Sequence, residues 1–210
     1  MDKMKLGVVM DPIESINFKK DSTLSMMLEA QKRGHELFYM KPQSLFIDSG
    51  ISYAETSCVK VKNDPQDWYS LEKERIIKLS ELNVILMRQD PPFNMSYITA
   101  THILEKITSK TLILNNPFHV RNAPEKIFVT EFSKFMPETL ITRETNEIIK
   151  FKNKNKNIII KPLYGNGGEG VFYIKDNDSN FNVIIENFLN LNEEQFIIQS
   201  YIPEVKKGDK

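Results

Sequence analysis

Short runs of uninterrupted apolar residues alternate with stretches of helical spacing through the first 120 residues. The first run is 6–10 (LGVVM), and it stops at Asp11-Pro12, where proline removes an amide that a ladder would need. Beyond it, Leu24, Met27 and Leu28 recur at i, i+3 and i+4, the stripe of an amphipathic helix, with Asp21 or Ser22 as its N-cap. Gly34 stands where a left-handed C-terminal cap belongs, and 36–40 (ELFYM) reads as a second strand. Strand, helix, strand in this span is a βαβ unit, which predicts parallel pairing. Residues 52–62 (SYAETSCVKVK) alternate and predict an exposed or edge strand. Two further buried strands, 84–87 (VILM) and 112–114 (LIL), flank a helix capped by Ser96 and running to Thr108. Together these elements predict an open α/β domain.

The pattern changes after residue 122. Pro124 opens a helix over 125–132, as proline prefers. Strand 139–142 is followed by a helix capped by Thr145 and running into Lys150. The lysine–asparagine run 152–157 reads as a solvated loop or a fraying helix end. Residues 158–162 (IIIKP) form a buried strand that ends in a lysine, and a glycine loop, 165–170, precedes strand 171–175. A helix over 181–191 and a strand over 196–199 follow.

Composition narrows the class. Apolar residues make up 40% of the 210 and charged residues 27%, enough to bury a core and far from a disordered composition. The 28 basic and 28 acidic residues cancel, so no net field draws nucleic acid or an anionic membrane. Cys58 is the one cysteine, which excludes an internal disulfide framework and fits a reducing, cytoplasmic setting. No apolar stretch reaches the roughly 18 residues of a membrane span, and the opening residues, broken by Asp11 and Pro12, do not read as a secretory signal. The three histidines lack metal-ligand spacing. Only five basic residues are arginine, so an arginine carries more information here than a lysine.

The glycine loop is the strongest chemical signal. Glycine lets backbone amides approach an anion closely, and Val-Phe-Tyr-Ile after Gly170 makes this a strand–loop–strand flap, neither a Walker loop nor a dinucleotide fingerprint. A purely structural hairpin turn is the alternative. Lys161 closes an apolar strand just before the flap, where a lysine either snorkels to solvent or meets an anion. Lys126, on the first turn of a helix, is solvated or a second cation for the same anion. Gln199, Ser200, Tyr201 and Ile202 leave a buried strand, where backbone groups can meet an adenine edge and Tyr201 or Ile202 its face. Arg88 leaves strand 84–87, at the carboxyl end where open α/β sheets bind ligands. It holds a substrate carboxylate bidentately, or pairs with Asp90 or Asp11 and only fixes the loops.

The segments KLGVVMDP with KKDST, VILMRQDPPF, NAPEKIF, IIIKPLYGNGGEGVF and FIIQSYIPEVKKGDK together resemble the bacterial-type glutathione synthetases, which are ATP-grasp ligases. The resemblance implies an α/β chain with an N-terminal open parallel-sheet, pre-ATP-grasp substrate domain over 1–122. The first, lid-bearing part of an ATP-grasp domain then occupies 123–210. It implies ligation of glycine to γ-glutamylcysteine through an acyl phosphate, giving glutathione, ADP and phosphate. Carried over by position, Lys126 and Lys161 hold ATP phosphates and Gly165, Asn166, Gly167 and Gly168 form the flap. Gln199, Ser200, Tyr201 and Ile202 hold adenine, Asp209 lies at the rim of the nucleotide site, and Arg88 with Asp11 lies in the peptide-substrate region. Magnesium is implied too, with its ligands expected in a region that the family places after Lys210, and so is a homotetramer. The sequence therefore reads as a truncated or partial chain, expected to bind nucleotide weakly and to turn over little alone. A non-catalytic binding remnant and another ATP-grasp amide ligase are the alternative readings.

Overall fold

Strand β1 (Lys5–Val9) is buried on both faces because every residue after Lys5 is apolar or glycine. The computed structural model describes residues 2–165, 167–191 and 193–208. They fall into two compact units, Met1–Asn122 and Ala123–Lys210.

In the first unit, α1 (Ser22–Lys32) starts on Asp21, whose carboxylate accepts from the Leu24 amide at 2.7 Å. It ends at Gly34, which takes the expected positive φ of 86°, and its Leu24 and Met27 are buried against Leu6, Val8 and Leu37. The chain returns as β2 (Glu36–Met40), then β3 (Leu45–Asp48), β4 (Ile51–Val61), β5 (Tyr69–Leu71), β6 (Arg75–Lys78) and β7 (Val84–Met87). Helix α2 (Met95–Glu105), β8 (Leu112–Leu114) and α3 (Pro117–Asn122) complete the unit. The sheet runs β3-β4-β2-β1-β7-β8, with β2, β1, β7 and β8 parallel to their neighbours in that series. Parallel order places the carboxyl ends of β1 and β7 side by side. Gly7 is fixed by packing, since a Cβ there would stand 2.7 Å from Leu82 Cδ1 and 3.0 Å from Met40 Cε.

Two expectations are corrected here. Strand β4 is neither exposed nor an edge. It pairs antiparallel with β2, β3, β5 and β6 along its length, and Ser52, Thr56 and Ser57 are buried with their neighbours. Ser52 donates to Ile103 O and Thr56 to Tyr39 O, so its polar side chains are satisfied inside rather than by water. Helix α2 is capped by Asn94, which accepts from the Tyr97 amide at 3.1 Å, not by Ser96.

The second unit opens with α4 (Glu125–Phe128), which tightens at once into a 3-10 run, Val129–Phe135. Strand β9 (Thr139–Thr142), α5 (Thr145–Asn155), β10 (Ile158–Pro162), β11 (Phe172–Ile174), α6 (Phe181–Leu191) and β12 (Phe196–Ser200) follow. The strands form an antiparallel sheet in the order β11-β10-β12-β9. One face carries the core: Ile158, Ile160, Ile174, Phe196 and Ile198 pack with Ile148 of α5 and Ile185 and Phe188 of α6. Helix α5 runs five residues past Lys150 and has no side-chain cap from Glu144. Its Lys152 is not solvated but 5% exposed. The ammonium donates to Asp176 O at 2.7 Å and sits 6.0 Å from the Phe181 ring centroid. Among the described residues no helix is long and apolar enough to cross a membrane.

Candidate functional site

Strand alternation decides which side chains face away from the core of the second unit. With Ile158 and Ile160 turned to the helices, Ile159 and Lys161 of β10 face the other way, in register with Gln199 and Ile197 of β12. At one end of this face β10 leads into the glycine loop, and β10 and β11 pair antiparallel from Ile158–Ile174 to Ile160–Phe172. The loop is thus a hairpin connection. Gly167, Gly168 and Gly170 sit at φ of 63°, 81° and 66°, in the region where a Cβ is strained. At Gly170 a Cβ would also stand 2.9 Å from Pro162 Cγ.

Both candidate lysines converge on this end. Lys126 Nζ donates to Pro162 O at 2.7 Å and to Gly165 O at 2.5 Å, so it ties α4 to the base of the loop. Lys161 is half-buried, and its ammonium meets no hydrogen-bond or ion-pair partner among the described residues. Burial pushes both amines below the usual lysine value, and the like charge of Lys161 pushes Lys126 down further, while Glu125 opposes the shift in each. That mutual repulsion puts the two cations in one electrostatic neighbourhood, where an anion would relieve it.

The lowered value of Lys161 has a stability consequence. Between its folded value and 10.5, the unfolded chain binds more protons, so stability rises with pH across that window. Lys161→Met removes the burden at every pH. It is expected to be more stable than the wild type at neutral pH, with the gap closing as pH approaches 10.5. Urea unfolding at a series of pH values checks this, and a pH-independent gap would refute it.

The opposite end of the face holds Gln199, Ser200, Tyr201 and Ile202. Gln199 Nε2 donates to Thr139 Oγ1 at 2.9 Å. The amides of Ser200 and Tyr201 donate to Glu138 O and Asn157 O. The Tyr201 ring already lies on Tyr173, centroids 4.2 Å apart, whereas Ile202 is 47% exposed and its amide meets no acceptor among the described residues. Ile202 is therefore the free apolar surface and free donor at this exit. Lys161 lies opposite Ile197, so the five residues from Ile197 to Ile202 put lysine and exit at most about 16.5 Å apart at about 3.3 Å per residue. Asn166 and Asp209 lie outside the described residues.

In the first unit Arg88 and Asp11 meet at the carboxyl ends of β7 and β1, but they do not pair. Arg88 Nε donates to Thr23 Oγ1 at 3.1 Å and Nη2 to Ser22 Oγ at 2.9 Å. Asp11 Oδ2 accepts from the Asp90 amide at 2.7 Å. A cavity of about 240 Å³ opens between them, lined also by Lys20, Asp21 and Asp90. Nearby, Gln89 Oε1 is buried with no partner among the described residues. Burial raises the Tyr97 hydroxyl above the usual phenol value, with Asp90 adding to the shift and Arg88 opposing it. Sequence offered Ser22 only as a helix cap and did not mark Thr23, Gln89 or Tyr97 as site residues; Ser22-Thr23 falls in the KKDST segment, which was the available signal. Among the described residues no group of three or more His, Cys, Asp or Glu is placed to hold a metal ion.

Residues 4–121 match the prokaryotic glutathione synthetase N-terminal domain family, and residues 125–210 the prokaryotic glutathione synthetase ATP-grasp domain family. The chain is 49% identical to a glutathione synthetase of Brucella melitensis and 47% to one of Agrobacterium fabrum. Those alignments cover 99% and 100% of this chain and 66% of each relative, so the chain spans just under two thirds of their length. Among solved structures it resembles a RimK-domain ATP-grasp protein of Sphaerobacter thermophilus, with a TM-score of 0.59 at 14% identity over 95% of this chain and 64% of the other. D-alanyl-alanine synthetase A of Vibrio cholerae gives 0.57 at 12% identity, over 96% and 61%. At such identities the likeness shows the ATP-grasp fold.

Proposed function

The chain belongs to the prokaryotic glutathione synthetase family, and on that premise we propose that the protein joins glycine to γ-glutamylcysteine with ATP. In this reading it is a carbon–nitrogen ligase of the cytoplasm, with 1–122 as the substrate domain and 123–210 as the lid-bearing part of the ATP-grasp domain. The cysteinyl carboxylate attacks the γ-phosphorus of ATP, the bond to the β-phosphate oxygen breaks, and ADP leaves. The glycine amine then attacks the acyl-phosphate carbonyl, the carbon–oxygen bond to phosphate breaks, and the amine sheds its proton to solvent as the amide forms. Lys161 and Lys126 neutralise phosphate charge, which is most of what phosphoryl transfer asks of a protein. The amides of Gly165, Gly167 and Gly168 cover the same group and keep water from the acyl phosphate. Ile202 and the exit of β12 receive the base, and Arg88 with Asp11 serves the peptide.

The observation that carries this reading is the shared face of β10 and β12. It has an unpartnered half-buried ammonium under a glycine hairpin at one end and a free amide beside an exposed apolar side chain at the other. A nucleoside triphosphate presents the same sequence of polyanion and flat base. Magnesium supplies further charge compensation in such reactions, but the described residues do not offer a set of ligands for it, and no step here runs through it. The test is a chimera of residues 1–210 followed by the last third of the Brucella melitensis relative. It is expected to form glutathione from γ-glutamylcysteine, glycine and ATP. A folded chimera that binds ATP but ligates only a different acceptor would reject the assignment.

A further inference from the structure

Neither α4 nor the 3-10 run behind it buries a side chain, so apolar packing does little to fix where they sit. Lys126 supplies polar bonds in its place. Its ammonium has three N–H donors, and two of them go to carbonyls 36 and 39 residues away, Pro162 O at 2.7 Å and Gly165 O at 2.5 Å. These carbonyls stand at the end of β10 and at the first glycine of the hairpin loop. Lys161, the other cation of the site, meets no described hydrogen-bond or ion-pair partner. The two lysines thus differ before any anion arrives: one is committed to the backbone and the other is not.

The loop rests on the residue that Lys126 holds. A Cβ at Gly170 would stand 2.9 Å from Pro162 Cγ, and one at Gly165 3.3 Å from Pro162 Cβ, so both feet of the hairpin close on the proline ring. At Gly167 and Gly168 a Cβ would meet nothing within 4 Å. A loop seated at its feet and clear at these two glycines takes its direction from the seat. Resting on the function proposed above, we propose that Lys126 is a positioning residue. It fixes the base of the glycine hairpin to α4 and so sets where the amides of Gly167 and Gly168 meet phosphate, while Lys161 makes the direct ion pair. Two donors held on carbonyls leave one N–H of Lys126 for an anion, whereas Lys161 has all three to give. The carbonyls also favour the charged form of Lys126, against the burial and the like charge of Lys161 that oppose it.

A double-mutant cycle on ATP affinity, measured on the 210-residue chain, separates this role from a direct one. Gly168→Ala spoils the flap, since alanine is strained at a φ of 81°. With an intact flap, Lys126→Met and Lys161→Met are each expected to weaken ATP by about tenfold or more. With Gly168→Ala, Lys161→Met should cost the same, and Lys126→Met only about twofold or less, the scatter of independent sites. An equal cost of Lys126→Met in both backgrounds makes it a direct phosphate ligand and overturns the proposal. So does a Gly168→Ala variant that binds ATP like the wild type. In the nucleotide-free chain, the ¹⁵N order parameters of the Gly167 and Gly168 amides should fall in Lys126→Met and hold in Lys161→Met. The core cluster of this unit takes no residue from α4, so the urea midpoint of Lys126→Met is expected to hold. A lowered midpoint with unchanged order parameters makes the lysine merely structural and refutes the positioning role. Should Lys126→Met not fold, the carbonyl ¹³C shifts of Pro162 and Gly165 in the wild type decide. They keep their hydrogen-bonded values at saturating ATP under this proposal, and move to unbonded values if the lysine leaves for phosphate. If the wild-type chain binds no ATP, the nucleotide reading falls and the order parameters still decide the role of Lys126. If ATP binds and the cycle is additive, the positioning role falls and the proposed ligase stands.

Discussion

Lys161→Met is expected to weaken ATP binding to the 210-residue chain by about 1.5–3 kcal/mol, roughly ten- to a hundredfold, the usual effect of deleting a charged hydrogen-bond partner. Methionine keeps the apolar stem of the side chain, so the neighbouring β12 residue Ile197 keeps its packing. The amine being removed has no described partner and is held below its ordinary pKa by burial. Affinity and stability should therefore move in opposite directions, with nucleotide binding lost and resistance to urea kept or raised. Equilibrium dialysis with labelled ATP, paired with unfolding curves, reads both. Unchanged affinity would remove Lys161 from the site, and a parallel loss of stability would recast it as a structural residue.

Phe196→Ala is expected to cost the second unit about 3–5 kcal/mol, the range for truncating a buried aromatic. Phe196 is 1% exposed, its ring lies 5.1 Å from that of Phe188, and it joins β12 to α6 across the core face. A loss of that size is a large share of the 5–15 kcal/mol that holds a typical domain together. The variant should melt its second unit well below the first, giving two resolved transitions by calorimetry. Ile160→Val, which removes one methyl group from the same cluster, should cost only about 0.5–1.5 kcal/mol. If Phe196→Ala is as mild as Ile160→Val, the cluster does not hold the sheet.

The elements nearest the candidate site were legible because their signals are local. Isoleucines at 158–160, a lysine, a cluster of glycines and then β-branched and aromatic residues specify a hairpin flap with little competition. Strand β12 and helix α6 followed from equally dense patterning. Strand β4 was misread for a physical reason: alternation reports which face is buried and says nothing about how many edges are paired. Its partners β3, β5 and β6 are three or four residues long, too short to carry a period of their own. Lys152 was hidden in a lysine-rich run, and the groups that receive its ammonium, the Asp176 carbonyl and the Phe181 ring, lie 24 and 29 residues away. The hydroxyls that orient Arg88 lie 65 and 66 residues from it. Contacts of that separation are products of the sheet order, and no local pattern announces them.

The tight seat of Gly7 against Leu82 and Met40 carries an evolutionary corollary. A methyl group at that position of the first strand would force the ends of the Leu82 and Met40 side chains aside, in a core where both are buried. Homologous chains should therefore keep glycine there, or carry a larger residue only together with a smaller one at position 82.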